Sequence, residues 1–293
     1  MSVAPVIIEA AVNGVTPRER TPHVPRTPAE VAADAIACIE AGASIVHSHT
    51  DDPVLDMVTA AHDPAPYIEA WSPVLERFPD ALLYPTMTGG GPHTTFERRY
   101  AHIPSIAEAG VLPMGIVDPG SVNIGGLEPD GRPAATDVVY INSLFDVRQM
   151  FETCAELGVP VNISIFDGSF MRTAVAYARS GGLPHGATIK IFFGSDHVPF
   201  GIPATRAGLE AYLDILGDCT LPWSVALPGG DVLESEVGVL AFERGGHVRV
   251  GLEDYAGPDQ PTNVELVTRA VEAAARHGRP PATAAEARKL MRG

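Results

Sequence analysis

Strand-like runs alternate with helix-like stretches along almost the whole chain, and this alternation constrains the fold most. Eight short apolar runs of strand length occur, from residues 5–12 to residues 247–250, with helical patterns between nearly all of them. Strands that alternate with helices predict parallel pairing. Eight such units in 293 residues match the size of a (β/α)8 barrel. We therefore predict an α/β fold, a TIM barrel that forms a single domain over residues 1–293, with an extra C-terminal helix.

An open, doubly wound sheet is the rival fold. It would normally carry a glycine fingerprint or a P-loop after its first strand, and neither GxGxxG nor GxxxxGK[ST] occurs in the chain. Helix starts are marked by threonine and glutamate three residues apart, which form a capping box. These pairs are Thr27 with Glu30, Thr262 with Glu265, and Thr283 with Glu286.

The net charge of −16 argues against nucleic acid or an anionic membrane as the main partner. The three cysteines, Cys38, Cys154 and Cys219, lie far apart in the sequence and are interpreted as reduced thiols. We find no signal peptide and no run of about 18 apolar residues that would span a membrane. These features predict a cytoplasmic protein.

Two histidines stand at the end of the second predicted strand, in the run IVHSHTDDP. Residues i and i+2 of a strand point to the same face, so His47 and His49 can hold one metal ion between them. Two ordinary polar residues at a strand end are the alternative. In a barrel, the loops after the strands surround one mouth, which is where active sites lie.

A third ligand would complete the usual catalytic zinc pattern of three protein ligands and an open position. Glu253, after the eighth strand, is our choice, and Asp118 is the next candidate. Arg249 precedes Glu253 by four residues and can hold Asp254, either as part of the site or as a structural ion pair. No GxSxG nucleophile motif occurs. The pattern indicates a metal that polarises a carbonyl beside a carboxylate base.

Polar residues and glycines after the first, third and fourth strands are candidate substrate contacts. They are Asn13, Thr16, Thr86, Thr88, Gly89, Gly90, Asp118, Ser121 and Asn123. The hydroxyl contact is left open between Thr86 and Thr88. His62, His93, His102, His185 and His197 are interpreted as solvated or capping histidines in loops or near helix ends.

Motifs along nearly the whole chain resemble the β-keto acid cleavage enzymes, whose best-known activity is 3-keto-5-aminohexanoate cleavage. The motifs are Asn13-Gly14, PRTPAE at 25–30, His47-Ser48-His49, Thr88-Gly89-Gly90, GSVN at 120–123 and GGHVRVGLED at 245–254. The HxH pair and the GGHVRVGLED run together are highly specific.

The resemblance implies a TIM barrel, usually a homotetramer, with one divalent transition metal, normally zinc, held by His47, His49 and Glu253. It implies a reaction of a 3-keto acid with acetyl-CoA that gives acetoacetate and a new acyl-CoA. Asp254, oriented by Arg249, would be the acid/base group. A CoA-independent metal-dependent aldolase or hydrolase, and a non-catalytic binding barrel, are the competing hypotheses.

The chain departs from the family pattern at two positions. The aminohexanoate-cleaving members carry a glutamate where this chain has Thr16, so the aminohexanoate is not the expected substrate. Asp118 stands where other members often have an uncharged hydroxyl residue. An acid there would face a basic or hydroxylated substrate tail, or would support the metal site.

Overall fold

The computed structural model describes residues 4–51, 62–89, 94–195, 198 and 200–292. The strands are β1 (Ile8–Ala11), β2 (Ile45–Ser48), β3 (Leu82–Pro85), β4 (Gly115–Val117), β5 (Val122–Asn123), β6 (Val139–Tyr140), β7 (Val161–Ile165), β8 (Ala187–Phe192), β9 (Trp223–Ala226) and β10 (His247–Val250). The helices are α1 (Pro28–Ala41), α2 (Ala65–Arg77), α3 (Phe96–Tyr100), α4 (His102–Glu108), α5 (Leu144–Glu156), α6 (Gly168–Ser180), α7 (Arg206–Leu216), α8 (Glu236–Glu243), α9 (Asn263–Arg276) and α10 (Ala284–Leu290).

Eight of the strands form one parallel sheet in the order β3-β2-β1-β10-β9-β8-β7-β4. The two end strands, β3 and β4, lie against each other, so the sheet is nearly closed into a barrel. Helices follow the strands and surround the ring, as in a TIM barrel. The predicted barrel is therefore confirmed, and so is the extra C-terminal helix, α10, which follows the helix of the last strand.

The barrel strands are buried along almost their whole length, which explains why they read as continuous apolar runs. Capping boxes begin α1, α9 and α10 at the three predicted threonines. Each threonine side chain accepts a hydrogen bond from the backbone N–H three residues on. The sequence pattern thus places these helix starts correctly because capping is a local interaction.

Two predicted elements differ from the structure. Residues 96–109 carry a helical sequence pattern that predicts one helix, but the structure divides them into α3 and α4 around Ala101. Pro104 has no N–H to donate to the carbonyl four residues earlier, which interrupts the helical ladder. The polar run DPGSVN at 118–123 predicts a tight loop after β4, but its last two residues form β5, which pairs with β6 in a short antiparallel hairpin.

Two further predictions concern the state of the cysteines and the presence of membrane-spanning segments. All three cysteines are free; Cys38 and Cys154 are buried, and Cys219 is half-buried. Burial raises the pKa of the Cys154 thiol to about 12. Among the helices of the described residues, none combines the length and apolar character needed to cross a bilayer.

Candidate functional site

Strand β2 brings the two predicted histidines to the mouth of the barrel. His47 Nδ1 lies 3.2 Å from the backbone oxygen of Tyr84 on β3. Because a carbonyl oxygen only accepts, Nδ1 carries the proton and Nε2 keeps its lone pair. The backbone N–H of His49 donates to Asn13 Oδ1 at 2.8 Å. The Nε2 atoms of His47 and His49 lie 3.1 Å apart.

Glu253 extends from the loop after β10 towards the same point. Its Oε2 lies 3.4 Å from His47 Nε2, and its Oε1 lies 3.5 Å from His49 Nε2. The three ligand atoms lie within 4.8 Å of one another, and no other such group of three occurs in the described part of the chain. The structure therefore brings together the three residues that the sequence predicts as ligands.

The chemistry of this cluster fits a cation. Burial holds the pKa of His47 well below its ordinary value, so the imidazole is neutral. Glu253 Oε2 is buried without a hydrogen-bond partner among the described residues. Two imidazole nitrogens and a carboxylate converge at this point, and a positive ion at their centre would satisfy the lone pair of His47 Nε2 and the unpaired Oε2 of Glu253. Nitrogen and oxygen donors of this kind suit zinc and similar divalent metals.

Arg249 holds the carboxylates beside the cluster. Its Nε donates to Asp254 Oδ2 at 2.7 Å and its Nη2 to Oδ1 at 3.2 Å, so the predicted pair is present. Nη2 also lies 2.7 Å from Glu253 Oε1, and Nη1 lies 3.0 Å from Glu9 Oε1. Burial by itself would lower the pKa of Arg249, but Asp254 and Glu253 raise it well above its ordinary value. A permanently charged guanidinium thus fixes three carboxylates at once.

Sequence reasoning missed a buried polar network beneath the cluster. Glu9 on β1 accepts hydrogen bonds from the Tyr84 hydroxyl and, at 2.8 Å, from Asn162 Nδ2. Lys190 on β8 donates to the Tyr84 hydroxyl at 2.7 Å and lies 3.6 Å from Glu9 Oε1. Burial alone would raise the pKa of Glu9, but Lys190 and Arg249 lower it. The available signal was a single charge inside each of two apolar runs, VIIEAAV and TIKIFF.

A cavity of about 160 Å³ opens above this network. The three predicted ligands and Arg249 line one part of its wall. Of the predicted substrate contacts, Thr86, Gly89 and Asp118 also line it. The remaining wall is largely apolar and includes Met87, Ile116, Ile124, Phe166 and Phe192.

Two predicted contacts support the backbone around the ligands. Asn13 donates to the His49 carbonyl at 3.1 Å and accepts from the His49 N–H, which fixes the loop after β2. The Thr16 hydroxyl donates to the Leu252 carbonyl at 3.0 Å and so holds the loop that carries Glu253. Both side chains are buried and absent from the cavity wall.

The other predicted contacts lie away from the cavity. The Thr88 hydroxyl donates to the Arg99 carbonyl at 3.4 Å, which favours Thr86 as the hydroxyl that faces the cavity. Ser121 exchanges hydrogen bonds with the backbone of Asn142. Asn123 is exposed in β5. Gly90 lies outside the described residues.

The remaining histidines do not all lie where the sequence suggests. His62 and His102 are buried rather than solvated, and their rings lie 5.1 Å apart. His102 Nε2 lies 2.8 Å from the Thr86 carbonyl oxygen, an interaction across 16 residues that no local pattern reveals. His185 is exposed as expected. His93 and His197 lie outside the described residues.

Comparison with known proteins places these residues in a family. The family model described as beta-keto acid cleavage enzyme matches residues 5–292. The 3-keto-5-aminohexanoate cleavage enzyme of Fusobacterium nucleatum is 28% identical over 98% of this chain and 97% of its own length. The 3-oxoadipate:acetyl-CoA acetyltransferase of Cupriavidus necator is 29% identical over 98% of this chain and 94% of its own.

A solved structure supports the same fold. The binary complex of ObcA with oxaloacetate superposes with a TM-score of 0.66 at 19% sequence identity, covering 92% of this chain and 67% of that one. The family match over residues 5–292 includes β2, β10 and the residues after them, and so His47, His49 and Glu253. The chain therefore belongs to the β-keto acid cleavage enzyme family.

Proposed function

We propose that the protein transfers an acyl group between a 3-keto acid and acetyl-CoA, giving acetoacetate and a new acyl-CoA. In this reaction the bond between C2 and C3 of the keto acid breaks. The two-carbon piece with the carboxylate joins the acetyl group, and the remaining acyl group passes to CoA. The observation that carries the proposal is the convergence of His47, His49 and Glu253 beside an Asp254 that Arg249 holds in place.

His47, His49 and Glu253 would hold a divalent transition metal, with zinc as our choice. When bound, the metal supplies positive charge beside the carboxylate and ketone oxygens of the keto acid. The His47 Nδ1–H contact to the Tyr84 carbonyl keeps the ring in the orientation that such binding needs. The resemblance to the family also leads us to propose a homotetramer, which sedimentation measurements would test.

Asp254 would move the proton. The C2–H bond of a 3-keto acid is acidic because it lies between two carbonyl groups, and a carboxylate held nearby can accept its proton. Arg249 binds both oxygens of Asp254, so the carboxylate has one orientation. The Lys190 and Glu9 network below fixes Arg249 in turn. Arg249 would thus hold the base in one orientation before the substrate arrives.

The first prediction tests the reaction. Purified protein incubated with acetyl-CoA and a panel of 3-keto acids should form acetoacetate and a new CoA thioester, both measured by mass spectrometry. Asp254→Asn should lower kcat by about 10²- to 10⁴-fold, because general base catalysis contributes on that order. The variant should keep its metal, measured by elemental analysis. Keto acid consumption that is equal without acetyl-CoA would instead indicate a CoA-independent aldolase or hydrolase.

The second prediction tests the ligands. His47→Ala and His49→Ala should each remove most of the bound metal and the activity, because each leaves only two protein donors. Exposed His185 offers a matched control, and His185→Ala should keep the wild-type metal content. Stoichiometric zinc in the His47→Ala/His49→Ala double variant would overturn the ligand assignment.

A further inference from the structure

Asp118 follows β4 and is buried, with one carboxylate oxygen satisfied and the other not. Its Oδ2 accepts a hydrogen bond from the hydroxyl of Tyr140 on β6. Its Oδ1 is buried and meets no donor at hydrogen-bonding geometry among the described residues, although the Ser164 hydroxyl is close enough to lower the pKa of the carboxyl. An acceptor taken out of water without a donor costs free energy, so such a position needs a partner.

The unsatisfied oxygen of Asp118 indicates a ligand because a predicted metal ligand, Glu253, also has a buried oxygen without a partner. Within the described ranges, only Glu253 Oε2 and Asp118 Oδ1 are buried carboxylate oxygens without a partner. Both residues line the same cavity. Asp254, by contrast, has both oxygens bound by Arg249. Glu253 is expected to bind the metal, which leaves Asp118 as the acceptor without an assigned partner.

Asp118 is not among the side chains that meet at the metal cluster. In the closed order of eight strands, β4 lies four strands from β10 in either direction, so it is diametrically opposite the strand that leads to Glu253. Asp118 is absent from the group of ligand atoms within 4.8 Å of one another. A keto acid whose carboxylate and ketone lie at the cluster would therefore point its other end across the cavity towards Asp118.

The surroundings of Asp118 disfavour 3-keto acids whose distal end is a carboxylate or an alkyl group. Ile124 and Phe166 line the same cavity and offer no polar group, whereas Ser164, which also lines it, offers a hydroxyl. Burial raises the pKa of Asp118, and the Tyr140 and Ser164 hydroxyls and the Lys190 and Arg99 cations oppose this. None of these groups donates to Oδ1 at hydrogen-bonding geometry. A tail that ends in a carboxylate would place two anions together, and an alkyl tail would leave Oδ1 unsatisfied.

We propose that Asp118 selects 3-keto acids whose distal end carries an N–H or O–H donor, which Oδ1 accepts. Tyr140 is the positioning residue, because its hydroxyl binds Oδ2 and leaves Oδ1 for a ligand in the cavity that Asp118 lines. This inference rests on the proposed function, because that function places the keto acid head at the metal cluster. Ammonium and hydroxyl tails share the donor chemistry, and the experiment separates them.

The test measures binding without acetyl-CoA, so that it does not depend on turnover. Metal-loaded protein is titrated calorimetrically with 3-keto acids of equal length that end in ammonium, hydroxyl, methyl or carboxylate. Donor tails should bind at least about tenfold more tightly than the methyl tail, and the carboxylate tail should bind most weakly. A preference for ammonium over hydroxyl would show that charge adds to the donor effect.

Variants connect the preference to this one side chain. Asp118→Leu should remove the discrimination between donor and methyl tails, and Asp118→Asn, which keeps the shape, should remove the preference for ammonium. Exposed Asp137, just before β6, provides the matched control, because Asp137→Asn changes the same charge away from the cavity. Circular dichroism melting checks folding, and if Asp118→Leu fails to fold, Asp118→Asn decides the question.

Equal affinity of the wild-type protein for methyl and donor tails would overturn the inference, as would an Asp118→Asn variant that weakens every ligand by the same factor. Acetoacetate formation is measured separately on the same panel. Donor selectivity without acetoacetate would support the role of Asp118 and contradict the proposed reaction. Acetoacetate formation without donor selectivity would support the proposed reaction and contradict the role of Asp118.

Discussion

At the residue scale, the metal cluster depends on Gly14, because the lack of a side chain there leaves room for Glu253. Gly14 has a φ of +53°, and a Cβ added there would lie 2.3 Å from Glu253 Cγ. The loop after β1 thus leaves the space that the Glu253 side chain fills. Asn13, the preceding residue, holds His49 through its backbone. Two consecutive residues therefore position two of the three predicted ligands, which explains their place in the family motif.

Gly14→Ala should displace Glu253 and lower metal affinity by roughly 10- to 100-fold, the scale of losses when residues that support ligands are changed. Gly110→Ala is the matched control. Gly110 also has a positive φ, +74°, but nothing lies within 4 Å of an added Cβ. Both substitutions strain the backbone, but only the added Cβ at position 14 would clash with a predicted metal ligand, Glu253. Metal competition with a chromophoric chelator measures the difference, and equal affinity in the two variants would contradict this role.

At the element scale, helices α1 and α9 are joined by a polar contact at the rim of the barrel. Asn263 Nδ2 donates to Asp34 Oδ2 at 2.5 Å and to the Val12 carbonyl at 2.7 Å. Asn263 Oδ1 accepts from the Leu252 N–H at 2.8 Å, next to Glu253. The start of α9 therefore supports the loop of the metal cluster. Burial raises the pKa of Asp34 to about 6, although the Asn263 hydrogen bond opposes this.

The raised pKa makes the Asp34 contribution to stability depend on pH with a definite sign. The folded state binds the proton more tightly than the unfolded chain, whose pKa is 3.8. The contribution is thus fully present below pH 3.8 and is lost as the pH rises through 6. Asp34→Asn, whose oxygen still accepts from Asn263, should raise the free energy of unfolding at pH 8 by about 1 to 3 kcal/mol.

Urea unfolding at pH 8 and pH 4 tests this prediction, and the advantage of Asp34→Asn should disappear at the lower pH. Glu40, exposed on the same helix, gives a control, because Glu40→Gln should change stability by less than about 0.5 kcal/mol. An Asp34→Asn variant that is destabilised at pH 8 would show that the carboxylate is needed for the contact.

Which elements could be predicted follows from the range of the interactions that specify them. Capping boxes and apolar periodicity are local, so α1, α9 and the barrel strands are where the sequence predicts them. The β5–β6 hairpin was missed because its strands have two residues each and pair across a long, exposed connection. Glu9 and Lys190 were missed because each is a single charge inside an apolar run, and its partner lies on a strand that is distant in sequence.

At the scale of the whole molecule, the fold also buries two neutral histidines that do not belong to the cluster. Burial lowers the pKa of His102 to about 3 and that of His247 to about 3. His247 Nδ1 accepts the backbone N–H of Ile7 at 3.0 Å and helps join β10 to β1. Neither side chain is recognisable from sequence as a buried group, because both depend on contacts between distant strands and loops. The single domain over residues 1–293 stays a prediction.

These lowered pKa values predict sensitivity to acid. The unfolded chain takes up protons near pH 6.5 and the folded chain only near 3, so stability is fully present above 6.5 and falls below it. His247→Asn keeps an acceptor for Ile7 but cannot titrate. Its loss of stability between pH 7 and pH 5 should be smaller than that of the wild type by about 2 kcal/mol.

Denaturant unfolding in the presence of a chelator measures this difference without a contribution from metal release. Exposed His185 supplies the comparison, since His185→Asn should follow the wild-type pH dependence. Parallel stability curves for His247→Asn and the wild type would mean that His247 accepts a proton in the folded protein.

Two parts of the cavity wall, the metal cluster and the surroundings of Asp118, come from different segments of the chain. The metal cluster and its arginine belong to β2, β10 and their loops, whereas Asp118 and Tyr140 belong to β4 and the hairpin that follows it. Mutations in the second segment can therefore change which tail is accepted while the bond-breaking apparatus stays intact. In evolutionary terms, one ancestral barrel could acquire new substrates by exchanging a stretch of about thirty residues.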